Sequence, residues 1–137
     1  MLKQFYMDPI TLAFCFQIHC ISKLYFHEAN LFNTPWQNTK LTICERNIDS
    51  SIRIFTPLMV KMDYMTKLES IRHQEIVEVV DELTLKQPDG RIFFIKDPKQ
   101  CLKQIESRAR PGEEMITLSY LDEMEKIQHT WMCELKR

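Results

Sequence analysis

The chain has 137 residues, 45% of them apolar, which is enough for one domain with a real core and no more. Charged residues make up 27% and the formal net charge is -1, which argues against the basic stripe of a nucleic-acid binder and gives no basis for a membrane-surface protein. Only two glycines occur, Gly90 and Gly112, so the chain lacks the closely spaced glycines with which a phosphate-binding loop wraps its ligand.

In chain order, Asp8-Pro9 opens a helix with an N-cap residue and a proline in the first turn. Ile10, Ala13, Phe14, Phe16, Cys20, Ile21, Leu24 and Tyr25 carry it at helical spacing to about Glu28. The polar stretch Asn30 to Asn38, with Pro35, reads as a loop. Lys40-Leu41-Thr42-Ile43-Cys44 is a short β-branched run, expected to be a buried strand ending at Glu45-Arg46. A helical region runs from Asp49 to about Leu85, kinked or broken near Pro57 and supported by Ile71, Ile76, Val77, Val79, Val80 and Leu83.

Pro88-Asp89-Gly90 is a turn, and Arg91-Ile92-Phe93-Phe94-Ile95 is the second expected strand. Asp97-Pro98 opens a helix to about Arg108, Arg110-Pro111-Gly112 is a loop, and Ser119 with Asp122 has the spacing of a capping box. The last helix carries Leu121, Met124, Ile127 and Trp131 on one face. Strands separated by helical crossovers predict an α/β fold with a parallel sheet and flanking helices.

The five cysteines, Cys15, Cys20, Cys44, Cys101 and Cys133, are scattered and odd in number, with no CxxC pair. They read as reduced thiols of a cytoplasmic protein rather than as zinc ligands. The apolar run Ile10 to Ile21 is interrupted by Gln17 and His19, and a bilayer needs about 20 apolar residues. Nor does the start read as a signal peptide, having no basic segment and no small-residue cleavage site.

Three ordered groups of residues resemble the deoxynucleoside kinase family, of the thymidine kinase type. The first is Tyr6-Met7-Asp8-Pro9 with Phe14-Cys15-Phe16-Gln17. The second is Cys44-Glu45-Arg46-Asn47 with Ser50. The third runs from Ile92-Phe93-Phe94-Ile95 through Arg108-Ala109-Arg110-Pro111-Gly112-Glu113-Glu114 to Leu118-Ser119-Tyr120-Leu121 and Trp131. The resemblance covers nearly the whole chain. It implies a partial P-loop kinase-like fold, helix-rich and lacking its central P-loop strand, so that 1–137 forms a single but incomplete kinase-like domain.

The resemblance also implies roles. Gln17, after Phe16, stands where the family hydrogen-bonds the base edge; an amide offers a donor and an acceptor, which suits a pyrimidine. The plainer alternative is a polar residue on a solvated helix face. Phe55 stands where an aromatic ring stacks on the base, although core packing explains it equally well. Tyr6 and Glu113 match the pair that holds the sugar 3′-hydroxyl; otherwise they are a packing residue and a loop charge. Glu45 and Arg46 match the acid–arginine pair, with Arg46 on the 5′-oxygen and Glu45 helping indirectly to place Mg²⁺; the alternative is a surface ion pair of little worth. Arg108 and Arg110 resemble the lid arginines that clamp ATP phosphates, a task suited to a planar, permanently charged fork. Here Gln104, Glu106 and Pro111-Gly112 depart from the family's more basic lid.

For function, the resemblance implies a deoxynucleoside kinase-like protein, whose family moves the γ-phosphate of ATP to the 5′-hydroxyl of thymidine or another deoxynucleoside. The resemblance begins after the family's GxxxxGK[ST] loop and after its acidic catalytic base. Correct positioning supplies roughly 7–11 kcal/mol of a barrier, so the alternative is an inactive relic that binds a nucleoside or pairs, as a homodimer or with a full-length kinase. Missing its central strand, the isolated chain is also expected to be weakly stable, melting below about 60 °C.

Overall fold

The computed structural model describes residues 1–33, 41–84 and 88–135, with the backbone alone described at 31–33 and 81–84. The elements are α1 (Leu2–Met7), α2 (Pro9–Asn33), α3 (Ile48–Ser50), a π-helical turn (Ser51–Phe55), α4 (Thr56–Lys61), α5 (Lys67–Thr84), α6 (Pro98–Arg108), a 3₁₀ turn (Glu113–Met115) and α7 (Leu118–Leu135).

Helix α2 begins where its sequence predicts. The Asp8 carboxylate accepts from Thr11 N at 3.2 Å, satisfying a first-turn amide that has no partner within the helix. The helix runs past the expected end at Glu28 to Asn33; the rest of the expected loop, and Lys40, lie outside the described residues. One face of α2 is buried at Ala13, Gln17, Ile21 and Glu28, positions spaced as a helical stripe. Two of these are polar, and each is satisfied. Glu28 accepts from Ile48 N at 3.1 Å, holding the start of α3, and Gln17 bonds Ser51.

The region expected to be helical from Asp49 to Leu85 is divided. Pro57 sits in the first turn of α4, where a missing N–H costs little. The π turn of Ser51–Phe55 lies directly before it, a wider winding that relieves the clash between a proline ring and the carbonyl one turn back. Asp63, at φ 56°, reverses the chain after α4. Thr66 and Glu69 then form a capping box for α5. Glu69 Oε2 accepts from Thr66 N at 2.8 Å and from Thr66 Oγ1 at 2.7 Å, and Thr66 Oγ1 accepts from Glu69 N at 3.2 Å. The bonds to its carboxylate hold the Glu69 carboxyl below its usual range, the backbone N–H of Thr66 first and its hydroxyl second.

Helix α6 has the boundaries its sequence predicts, Pro98 to Arg108, with the Asp97 carboxylate accepting from Lys99 N at 2.7 Å and Gln100 N at 3.3 Å. Ala109 ends it in the left-handed region at φ 49°. The start of α7 is capped by Thr117, whose Oγ1 accepts from Tyr120 N at 3.2 Å, not by the expected Ser119–Asp122 box.

The expected α/β fold is overturned. Among the described residues there is no β-strand, and so neither a parallel sheet nor a partial P-loop architecture. A strand exists only when its backbone groups pair with a neighbour. Residues 41–44 and 91–95 lie outside every helix and form no ladder among the described residues. Leu41, Ile43, Ile92, Phe94 and Ile95 stand out into solvent, Phe94 at 86% exposure. Only alternate residues of the second segment turn inward: Phe93 packs edge-on to Trp131 at 5.3 Å, and Arg91 lies over that ring at 5.8 Å and pairs with Asp49.

The core is therefore helix on helix. Phe5, Ala13, Leu58, Met59, Met65, Tyr120 and Leu121 form the main cluster, and Ile21, Ile48 and Val77 a second one along α2 and α5. The π turn touches α2, α4, α5 and α7. Side chains on that turn consequently meet residues from distant parts of the sequence.

Candidate functional site

The short helix α1 packs on α2 and on the 3₁₀ turn, which sets Tyr6 beside Glu113. Gly112 makes that approach fit. Its φ is 97°, and a Cβ there would stand 2.8 Å from Lys3 Cα. Glu113 is 6% exposed, and its Oε2 accepts from Arg108 Nε at 3.2 Å and Nη2 at 2.6 Å. Arg110 Nη1 lies 3.9 Å from the other oxygen. Burial, and then the Glu113 carboxylate, push the Tyr6 phenol above its usual range, while Arg46 and Arg108 oppose the shift. Tyr6 thus stays protonated and able to donate at neutral pH.

Arg46 belongs to the same group. Its charge acts on Tyr6, on Cys20 and on Tyr120. The Cys20 thiol and the Tyr120 phenol are raised chiefly by burial. Arg46 takes φ 66°, left-handed for a residue with a side chain, and its guanidinium lies over the Phe55 ring at 5.1 Å. Phe16 is stacked on Phe5, with centroids 4.6 Å apart and planes 10° apart.

Gln17 stands one turn before Cys20 on α2. It is 2% exposed, and its Oε1 accepts from Ser51 Oγ at 3.0 Å. Behind Ser51 lies His73, fully buried, with Nε2 at 3.4 Å from Ser51 Oγ and Nδ1 at 3.1 Å from Thr56 Oγ1. Burial lowers the His73 pKa to about 4, so the ring is neutral at physiological pH.

Arg46, Arg108 and Glu113 thus all lie within electrostatic reach of Tyr6, Phe55 adjoins through Arg46, and the Gln17 side chain is bonded to Ser51. Glu45 is exposed on the segment before α3, not at the end of a strand as expected. The apolar cavity of about 120 Å³ between α6, α7 and residues 94–98 is a separate feature, lined among others by Cys101, Met124 and His129.

The sequence reading missed Ser51, His73, Thr56, Cys20 and Tyr120 as members of this environment. His73 carried a signal. With Val77 and Val80 it shares the inward face of α5, whereas Ile71, Ile76 and Val79, which support that helix in the sequence, are exposed.

Arg108 is paired with Glu113, Glu45 is exposed on the segment before α3, and among the described residues no group of three or more His, Cys, Asp or Glu could hold a metal ion. Phosphoryl transfer is mostly positioning and electrostatic stabilisation. An all-helical set of described residues has no sheet on which to assemble a P-loop active site. The expectation that this chain acts as a phosphotransferase on a P-loop fold is therefore overturned. No described helix is long and apolar enough to cross a membrane.

A family model described as deoxynucleoside kinase matches residues 1–137. The chain is 25% identical to the mitochondrial deoxyguanosine kinase of Xenopus laevis, over 98% of this chain and 52% of that protein. It is 26% identical to a Fowlpox virus protein named "Probable deoxycytidine kinase", over 98% of this chain and 56% of that one. It is 24% identical to the deoxyguanosine kinase of Dictyostelium discoideum, over 98% and 47%. The chain spans about half the length of the relatives it matches. On the family match along its full length, this chain belongs to the deoxynucleoside kinase family.

Proposed function

We propose that this chain is a non-catalytic, deoxynucleoside-binding member of its family. The observation that carries this reading is the convergence of Glu113, Arg46 and Arg108 on Tyr6, with the buried amide of Gln17 on helix α2, against which the helix of Tyr6 packs. A buried carboxylate beside a protonated phenol can satisfy one sugar hydroxyl, and a buried amide can read one base edge. Residues 1–137 act as one unit in this proposal, with Tyr6 and Glu113 on the sugar, Gln17 on the base, and Phe16 and Phe55 flanking it.

Calorimetric titration with thymidine, deoxycytidine, deoxyguanosine and deoxyadenosine tests it. At least one should bind, and Gln17→Leu should weaken that binding about tenfold, the worth of a well-made hydrogen bond. No binding by the wild-type chain, or equal binding by Gln17→Leu, would refute the reading.

A second reading rests on the outer face of α5, where Leu68, Ile71, Ile76 and Val79 are exposed at 63%, 55%, 39% and 58%. An apolar face of this kind suits pairing with another copy or with a full-length family member. Light scattering of the wild-type chain and of Ile71→Lys checks it, a dimer that the substitution dissolves being the expected result.

A further inference from the structure

Gln17, Ser51, His73 and Thr56 form a continuous buried hydrogen-bonded chain running from α2 across the π turn to α5 and α4. The proton inventory gives it a direction. Ser51 donates its hydroxyl proton to Gln17 Oε1. Its oxygen must then accept from His73, which places the ring proton on Nε2. His73 Nδ1 is left as an acceptor, and the Thr56 hydroxyl donates to it. Each hydroxyl gives one proton and the neutral imidazole has one N–H and one lone pair, so both hydroxyl protons and both ring nitrogens are paired, and the Gln17 Nε2 donors are left for a ligand.

Running the chain the other way would need four changes together: the other His73 tautomer, reversed Ser51 and Thr56 hydroxyls and a flipped Gln17 amide. A free amide turns over easily; this one is tied to the tautomer of a buried ring.

We infer that Ser51, His73 and Thr56 are positioning residues that lock one face of the Gln17 amide and thereby set which base edge the site accepts. The inference rests on the proposed base-reading role of Gln17. Thymine offers a ring N–H donor beside a carbonyl acceptor, and cytosine offers a ring nitrogen acceptor beside an amino donor. These patterns are opposite, so an amide that cannot flip accepts one and refuses the other. With Oε1 held against Ser51, the matching ligand places an acceptor against Nε2 and at most one donor against the remaining lone pair of Oε1.

Two readouts test this. Long-range ¹H–¹⁵N correlation on the wild-type chain should show His73 as the Nε2–H tautomer, and the Nδ1–H tautomer would overturn the proposal without any variant. In titrations of thymidine and deoxycytidine, the wild type should prefer one by about tenfold or more. Ser51→Ala and His73→Phe should narrow that ratio to within about threefold, and Ser51→Thr, which keeps the hydroxyl, should restore it. A ratio unchanged in Ser51→Ala while Gln17→Leu still weakens binding would overturn the lock and leave base reading by Gln17 intact. Absence of any nucleoside binding by the wild type would overturn both. If Ser51→Ala and His73→Phe fail to fold, the tautomer and the ratio in Ser51→Thr decide, and a Ser51→Thr ratio lost alongside normal helical circular dichroism counts against the proposal.

Discussion

Arg108 closes both Nε and Nη2 onto one oxygen of Glu113, at 3.2 and 2.6 Å, and so spends on a buried carboxylate the charge that a phosphate clamp would present to a ligand. The pairing is unequal. Glu113 is almost wholly buried, whereas the Arg108 side chain is 46% exposed. Removing the arginine leaves a buried carboxylate whose remaining ion-pair partner among the described residues is Arg110 at 3.9 Å. Removing the carboxylate leaves a guanidinium that water can reach. Arg108→Ala should therefore cost about 2 kcal/mol and Glu113→Gln about 1 kcal/mol or less, after allowing for solvent screening of the exposed partner. Urea unfolding of both variants checks the order, and an equal or reversed ranking would show that Glu113 is not held by Arg108.

His73 gives the fold a pH dependence. Its folded pKa is about 4, lowered by burial from 6.5. Between those values the unfolded chain binds the proton and the folded chain does not, so stability rises with pH across the window. The contribution is fully present above about pH 6.5 and lost as the pH falls toward 4, amounting to about 3 kcal/mol. Wild type and His73→Gln compared by denaturant unfolding at pH 7 and pH 4.5 should show a smaller acid loss in the variant. Parallel losses would mean that His73 titrates normally.

The two glycines should behave oppositely. At Gly112 a Cβ meets Lys3 Cα at 2.8 Å and the backbone is left-handed, whereas at Gly90 nothing among the described residues lies within 4 Å. Gly112→Ala should cost about 2–3 kcal/mol, combining backbone strain with displacement of α1. Gly90→Ala should stay within about 0.5 kcal/mol. Thermal melts of the two variants check this, and since α1 carries Tyr6, Gly112→Ala should also weaken nucleoside binding.

Thr66 offers a local test of α5. Thr66→Ala deletes the hydroxyl that bonds both Glu69 N and Glu69 Oε2, which should cost about 1 kcal/mol. An unchanged unfolding midpoint would show that tertiary packing alone sets the start of this helix.

The helices were largely legible because their signals are local. Asp8-Pro9 and Asp97-Pro98 each combine a capping side chain with a proline whose missing N–H is harmless, and both helices begin there. The Thr66-Lys67-Leu68-Glu69 box is an equally local signal, while Ser119–Asp122 has the right spacing two residues past the residue that caps α7. The strands were misread because a β-branched run specifies only extended backbone. Whether Leu41–Cys44 or Arg91–Ile95 becomes a strand depends on a partner edge, which no local pattern encodes. The placement of Gln17 was hidden for a related reason. Its burial is decided by Ser51, a residue 34 positions away, and only the regular spacing of Ala13, Gln17 and Ile21 hints that the amide faces inward.

The central claim is that this chain holds a deoxynucleoside without phosphorylating it, and one NMR experiment addresses both halves. Each of the four deoxynucleosides is mixed with the chain, ATP and Mg²⁺; proton spectra follow nucleoside binding and phosphorus spectra follow any 5′-monophosphate. The expected result is broadened or shifted nucleoside resonances for at least one base and no monophosphate signal. A monophosphate that accumulates in proportion to the chain, or nucleoside spectra indifferent to it, would contradict the claim.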